Sequence, residues 1–289
     1  MIIDEMRKYA KQLLESKTVH LVIGYGISSG GDTIPIFVKE PNGAEKLVWN
    51  ENCVYNLARY LTDRDLIGLS DPGSVGIVAK RCDLKSINVL IDEYQVKRES
   101  VKIIGVTCEG MQNEAGELLD KCQTCVVSFP DEDLCDVVIG ELRASPGSKL
   151  GDSFQDINEL DNLTASERRA FWDKHFSRCI RCYACRSVCP LCYCKECIME
   201  QHDPQWVSPA PSLKENRAFH VIRAYHLAGR CVDCGECERV CPAGIPLRKI
   251  NRKMAQLVKE SYHFEVGTKG SGKSPITCFN QNDPEDFME

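Results

Sequence analysis

The sequence predicts an α/β N-terminal domain with a largely parallel sheet, followed by a mainly α-helical, cysteine-rich C-terminal domain. Three observations carry that prediction. Short apolar runs alternate with helical spacings over residues 18–140, the pattern of a layered α/β fold. Residues 141–163 are polar and contain Gly, Ser and Pro, so the boundary is expected there. Beyond it, helical stretches enclose a concentration of cysteine: of 18 in 289 residues, eleven fall between Cys179 and Cys241. The expected division is 1–150, 151–265 and a polar tail over 266–289.

Composition narrows the function classes. With 43% hydrophobic, 7% aromatic and 27% charged residues the chain is ordinary globular protein, not a disordered, collagen-like or coiled-coil one. A net charge of −6 offers no basic face to a phosphate backbone, so nucleic acid is not an expected partner. No apolar run approaches the ~18 residues of a membrane span. The opening MIIDEMRKYAKQLLESK lacks the apolar core and cleavage site of a signal peptide. The expectation is a cytoplasmic protein whose thiols stay reduced and free to bind metal.

The elements follow in order. Ile2, Met6, Tyr9, Ala10, Leu13 and Leu14 share one helical face. Val19–Tyr25 reads as a strand running into the Gly-rich stretch Gly24–Gly31. Thr33–Val38 and Lys46–Trp49 read as a hairpin around Asn42-Gly43. Cys53–Leu61 has helical spacing. Ser74–Ala79, Val101–Thr107 and Asp136–Gly140 are strand-like, with a helix over Leu84–Glu93. Parallel sheets gather function in the loops after their strands, which here hold Gly24–Gly31, Cys82 and Cys108. Thr164 and Glu167 form a capping-box pattern that opens a helix to about Phe176. Further helices are expected near Lys214–Ala228, stopped by Gly229, and from about Leu247.

The chemistry-bearing pattern lies between those helices. Cys179, Cys182, Cys185 and Cys189-Pro190 follow C-x2-C-x2-C-x3-C-P, and Cys231, Cys234, Cys237 and Cys241-Pro242 repeat it with identical spacing. This run binds [4Fe–4S] cubanes in two-cluster ferredoxins. Three thiolates two residues apart wrap three corners of a cube, and the fourth points away to the other cluster. The crossed assignment is therefore Cys179, Cys182, Cys185 and Cys241 for one cluster and Cys231, Cys234, Cys237 and Cys189 for the other. Structural zinc, the competing reading, needs only paired knuckles and no third and fourth cysteine followed by proline. A helix between the copies argues for an α-helical dicluster domain rather than a compact βαββαβ ferredoxin.

Other residues are less specific. Cys192, Cys194 and Cys197 invite an additional metal, with His202 as a fourth ligand, or are buried protective thiols. His220 and His226 lie six apart on one helix and read as packing residues. Arg178, Arg181, Arg186 and Arg230 flank the motifs, as solvated surface or as groups that raise cluster potentials or meet a partner. Cys82, Cys108, Cys122 and Cys125 follow predicted strand ends or lie just beyond them. They could close a third cluster or a zinc site, or be buried as small apolar residues. Cys53, Cys135 and Cys278 take no assigned role. Ser28, Ser29, Gly30 and Gly31 could cradle a phosphate through backbone N–H groups.

A resemblance bears on that second set. The stretch GIVAKRCDLKSINVLIDEYQVKRESVKIIGVTCEGM (76–111), then KCQTC (121–125) and CDVVIGELR (135–143), resembles the β-subunit family of coenzyme F420-reducing hydrogenases and F420-dependent formate dehydrogenases. The resemblance covers roughly residues 18–143. It implies that Cys82, Cys108, Cys122 and Cys125 are cluster ligands, and that a flavin, FAD or FMN, exchanges electrons with the clusters. Ser28–Gly31 is the nearest counterpart of the family's Gly-rich flavin loop. The C-terminal module resembles the helical ferredoxin domains of heterodisulfide reductase and related complexes.

Residues 267–274 (GTKGSGKS) match the phosphate-binding pattern G-x4-G-K-[ST] letter for letter. Pro275 and the short remainder cannot supply the helix and sheet such a site needs, so a Gly/Ser/Lys turn is expected. No Ser-His-Asp set, paired carboxylates or dinucleotide fingerprint emerges, so neither a catalytic site nor a small-molecule substrate is expected. The leading expectation is an iron–sulfur subunit relaying electrons between partner redox subunits. The alternatives are a flavin-containing oxidoreductase subunit and a zinc-stabilised interaction protein.

Overall fold

The protein is described here from a computed structural model covering residues 2–63, 74–125, 130–141, 154–268, 270–278 and 281. The chain divides into two compact units, Met1–Asp152 with Gly267–Gly272, and Ser153–Val266 with Lys273–Glu289.

The first unit is built on a five-stranded sheet of order β2-β1-β3-β4-β5, comprising β1 (Leu21–Ile27), β2 (Thr33–Val38), β3 (Val75–Ala79), β4 (Val101–Val106) and β5 (Val137–Ile139). β1, β3, β4 and β5 pair in parallel; β2 runs antiparallel on the outer side of β1. Every residue of β3 is buried, as expected of a central parallel strand covered on both faces. Helix α1 (Ile2–Glu15) buries Met6, Ala10, Leu13 and Leu14, the face its spacing predicts. Helix α2 (Arg81–Asp92) joins β3 to β4.

Two local expectations are corrected. The hairpin closes between β1 and β2, with Ile27 opposite Thr33, rather than around Asn42-Gly43. Pro41 opens a 3-10 turn to Lys46, where its fixed φ suits the first helical position. The helix expected over Cys53–Leu61 is a 3-10 turn over Leu57–Thr62, started by Asn56, whose side chain accepts from Ala58 N–H.

The second unit contains helices α3 (Gln155–Asp161), α4 (Ala165–Phe176), α5 (Leu213–His226) and α6 (Leu247–Tyr262). Helix α3 occupies part of the stretch expected to be linker, because Ile157 is buried and Asp156 pairs with Arg252 of α6; residues 142–153 of that stretch lie outside the described residues. The capping box of α4 is formed: Glu167 N–H donates to Thr164 Oγ1 at 3.3 Å and Thr164 N–H to Glu167 Oε2 at 2.9 Å. Phe176, Phe219, Met199, Val207, Ile245 and Leu247 form a core that also takes in Cys185 and Cys237. The GTKGSGKS stretch is divided between the two units. Thr268 O accepts from Asn88 Nδ2 at 3.2 Å, and Ser274 caps a 3-10 turn of three residues, so no phosphate-binding helix follows it. No helix of the described residues is long and apolar enough to cross a membrane.

Candidate metal centre

The two C-terminal motifs share a backbone. In the first, Arg181 and Tyr183 are left-handed (φ 57° and 58°); in the second, Asp233 and Gly235 are (φ 59° and 70°). Each chain thus reverses hand on either side of its second cysteine. Turns of this kind direct backbone N–H groups into concavities that hold anions and iron–sulfur clusters. One-turn helices, Ala184–Ser187 and Glu236–Arg239, then carry the third cysteines, Cys185 and Cys237. Arg181 N–H bonds to Cys179 Sγ and Asp233 N–H to Cys231 Sγ, the same contact at the same position of each motif.

The thiols meet across the motifs. Burial pushes Cys185 up to about 11; Arg223 opposes, while Cys179, Cys241 and Cys182 add to the rise. Cys241, last of the second motif, is therefore an electrostatic neighbour of Cys179 and Cys185 in the first. Cys231 is pushed up to about 12, first by burial, then by Asp233, with Cys189 contributing. Burial also raises Cys237, which feels Cys231 and Cys189. Cys189 is thus an electrostatic neighbour of Cys231 and Cys237. Among the described residues, no three His, Cys, Asp or Glu side chains close around a single metal ion. A cubane spreads its four thiolates further apart than one ion does.

Around these sets the side chains are arranged from neighbouring helices. Asn251 Nδ2 lies 3.6 Å from Cys237 Sγ, and Ile245 N–H donates to Cys241 Sγ at 3.5 Å. Cys192 donates to Cys189 Sγ, holding the Cys189 thiol below its usual range and raising its own. Cys194 and His202 are exposed and Cys197 is half-buried. His220 is buried against Phe176, ring centroids 4.7 Å apart, and burial pulls it down to about 3, so it packs as a neutral ring.

The flanking arginines have structural partners. Arg178 donates to Gly244 O, Arg181 to Glu215 O, and Arg186 pairs with Glu200 at 2.7 Å. Arg230 stands over the Tyr193 ring. The arginine that sits among the thiols is Arg223 of α5, which sequence reasoning missed. A charged residue on a helix reads as solvated, and its spacing along the helix gave no signal of burial.

The N-terminal set forms at one edge of the sheet. Because β3 and β4 are parallel neighbours, Cys82 and Cys108 leave the same edge. Cys122 follows in the one-turn helix Asp120–Gln123, with Cys125 just beyond. Burial pushes Cys108 up to about 11; Lys80 and a backbone contact from Gly110 oppose it, while Cys122 and Cys125 add. Cys82 is raised, chiefly by burial and Asp83, and feels Cys108 as well. All four predicted residues are therefore neighbours. Cys53, left unassigned by the sequence, is buried near them and pushed up to about 11 by burial. Cys135 packs over β4 instead: a Cβ on Gly105 would lie 2.6 Å from its Sγ.

Behind Cys82 lies a buried polar network. Lys80 Nζ contacts Tyr25 Oη, donates to Tyr55 O at 2.8 Å and pairs with Asp83 at 3.0 Å. Asp83 also accepts from Lys80 N–H at 2.8 Å and Leu57 N–H at 3.1 Å. Burial alone would lower the Lys80 ammonium, but Asp83, then Cys82 and Cys108, raise it above its ordinary value. The Ser28–Gly31 loop leaves the same edge after β1. Gly30 and Asp32 N–H donate to Ser28 Oγ at 3.2 and 3.1 Å, and Gly31 N–H to Ser28 O at 3.0 Å, so these three N–H groups have partners within the loop.

Residues 175–245 match the family described as the 4Fe-4S dicluster domain. The C-terminal unit carries a 4Fe–4S dicluster domain. The chain is 33% identical over 126 residues to the F420-dependent formate dehydrogenase subunit beta of Methanocaldococcus jannaschii, covering 43% of this chain and 31% of that protein. It is 36% identical over 132 residues to the F420-dependent formate dehydrogenase 1 subunit beta of Methanococcus maripaludis, covering 44% and 32%. The chain therefore spans about a third of the length of these relatives. It carries an iron–sulfur dicluster domain, and over less than half of its length it is similar to the beta subunits of F420-dependent formate dehydrogenases.

Proposed function

We propose that this chain is a conductor within an anaerobic, cytoplasmic oxidoreductase complex of the hydrogenase, formate dehydrogenase or heterodisulfide reductase type. Two [4Fe–4S] clusters would be held by Cys179, Cys182, Cys185 and Cys241, and by Cys231, Cys234, Cys237 and Cys189. Cys82, Cys108, Cys122 and Cys125 would hold a third. The observation that supports the reading is electrostatic proximity across the motifs: Cys241 acts on Cys179 and Cys185, and Cys189 acts on Cys231 and Cys237.

The donor sets suit such a group. Burial raises Cys185, Cys231 and Cys237, and iron held there would take the place of the proton and disperse the thiolate charge. When bound, a cubane takes up and returns one electron. The chain's residues would hold it through these thiolates, with Arg181 N–H, Asp233 N–H and Asn251 Nδ2 placed at Cys179, Cys231 and Cys237, beside the buried rings of Phe176 and Phe219. With every ligand a thiolate, no iron is left open to an organic substrate, so a relay between partner subunits is the role this chemistry fits.

Anaerobic purification with iron and acid-labile sulfide counts tests it. About eight of each per chain are expected for the dicluster domain, rising to about twelve with the third set. Near-stoichiometric zinc without iron–sulfur absorbance would overturn the reading in favour of a zinc-stabilised interaction protein. The flavin implied by the resemblance is tested by release of FAD or FMN on denaturation.

A further inference from the structure

Arg223 projects from the buried face of α5, 6% exposed, where most arginines would reach solvent. Its Nη2 donates to Cys185 O at 3.0 Å, in the first motif. Its guanidinium also bonds with the Cys192 thiol beside Cys189 and acts on Cys189 and Cys237, in the second. Its Nε is buried and has no hydrogen-bond partner among the described residues. A buried N–H without a partner carries a desolvation cost of about 1–3 kcal/mol, or more on a charged group, and calls for an explanation. The largest charges acting on Arg223 are the thiols of Cys189, Cys192, Cys237 and Cys185, drawn from both cysteine sets.

We infer that Arg223 is a positioning residue shared by the two cluster sites: its fixed positive charge raises the reduction potential of the cluster held through Cys189 and Cys237. The inference rests on the two-cluster reading above. A reduced cubane carries one more negative charge than an oxidised one. A desolvated cation beside it therefore favours the electron, and the effect is strong because little water screens it. The bond to Cys185 O holds the guanidinium toward the second set while bracing the first. Tuning by a hydrogen-bond donor and charge outside the ligands is an established lever on cluster potential.

The test is a redox titration of the anaerobic full chain followed by EPR, with iron counted in parallel. Arg223→Gln keeps a donor without the charge, and Arg223→Lys keeps the charge. In Arg223→Gln the second cluster is expected to hold its electron at least tenfold less readily, a downward shift of about 59 mV for a one-electron couple. Arg223→Lys is expected to restore at least half of that shift, and the first cluster to move less. Potentials unchanged in both variants, with iron retained, would overturn the inference and leave the cluster reading intact. Loss of second-cluster iron in both variants would also overturn it, making Arg223 scaffold alone. A wild-type chain without cubane iron marks failure of the underlying reading instead.

Discussion

Arg248 grips Asp233 with two parallel hydrogen bonds, Nε to Oδ1 at 2.6 Å and Nη2 to Oδ2 at 2.7 Å. Asp233 is the left-handed residue before Cys234, and Arg252 reaches the same carboxylate from the next turn of α6. Both arginines are almost fully buried, so the fork fixes the second motif loop against α6 in a poorly screened setting. Asp233→Ala removes one of the two carboxylates, Asp156 being the other, that pair with these buried cations, and leaves Ala in a conformation it disfavours. We expect a loss of about 3 kcal/mol or more, with second-cluster iron released first. Thermal unfolding with iron counts under anaerobic conditions checks this. Asp233→Asn, which tolerates the left-handed backbone, should fall between.

The equivalent residue of the first motif is Arg181, and the contrast shows where the sequence stopped being legible. The cysteine spacing made both motifs recognisable and predicted the exchange of Cys189 and Cys241. The residues between the cysteines carry no such code. Arg181 is held over Phe219, 4.7 Å from the ring, while Asp233 is held by arginines, so the same backbone turn is secured by opposite charges. The largely parallel character of the sheet followed from alternating strands and helices, since parallel neighbours need long crossovers. The β1–β2 hairpin was missed because Asn42-Gly43 is the stronger turn signal, and only pairing along β1 decides between the two. Arg223 was illegible for a related reason: its neighbours come from segments remote in sequence.

Asn216 ties α4 to the first motif. Its Nδ2 donates to Phe176 O and to Cys179 O, both at 2.9 Å, from a fully buried position on α5. Asn216→Ala leaves both carbonyls short of a donor and opens space between the helices. We expect a loss of about 2 to 3 kcal/mol, read as a lowered melting temperature. Cluster potentials should move far less than in Arg223→Gln, because no charge is removed. A variant as stable as the wild type would show that water replaces the amide.

His220 makes the second unit sensitive to acid. Burial, then Arg223 and Arg181, hold its imidazole down to about 3 against an ordinary 6.5, so the folded chain keeps it neutral. Below pH 6.5 the unfolded chain takes up a proton that the folded chain refuses. Stability from this group is complete above 6.5 and falls as pH drops toward 3. At pH 5.5 the loss is roughly 1 kcal/mol. His220→Phe keeps a ring against Phe176 and removes the proton site. The variant should therefore lose less melting temperature than the wild type between pH 7.5 and 5.5. Parallel slopes in the two proteins would count against a neutral buried ring.

Cys108 and Cys135 separate ligand from packing in the first unit. Both are half-buried and both are raised by burial, Cys135 up to about 12, so neither property tells them apart. Their neighbours do. Cys108 feels Cys122 and Cys125. After burial, Cys135 feels Asp131, Arg98, Asp136 and Arg81, and no thiol is among its principal neighbours. A hydroxyl is a poor substitute for a thiolate at iron, and three ligands hold a cubane loosely. Cys108→Ser should therefore cost about four irons per chain and leave the dicluster domain filled. Cys135→Ser should keep the iron content and cost only stability, because it puts a hydroxyl against Gly105 and Pro130. Equal iron loss in the two variants, or none in either, would remove the third cluster from the proposed path.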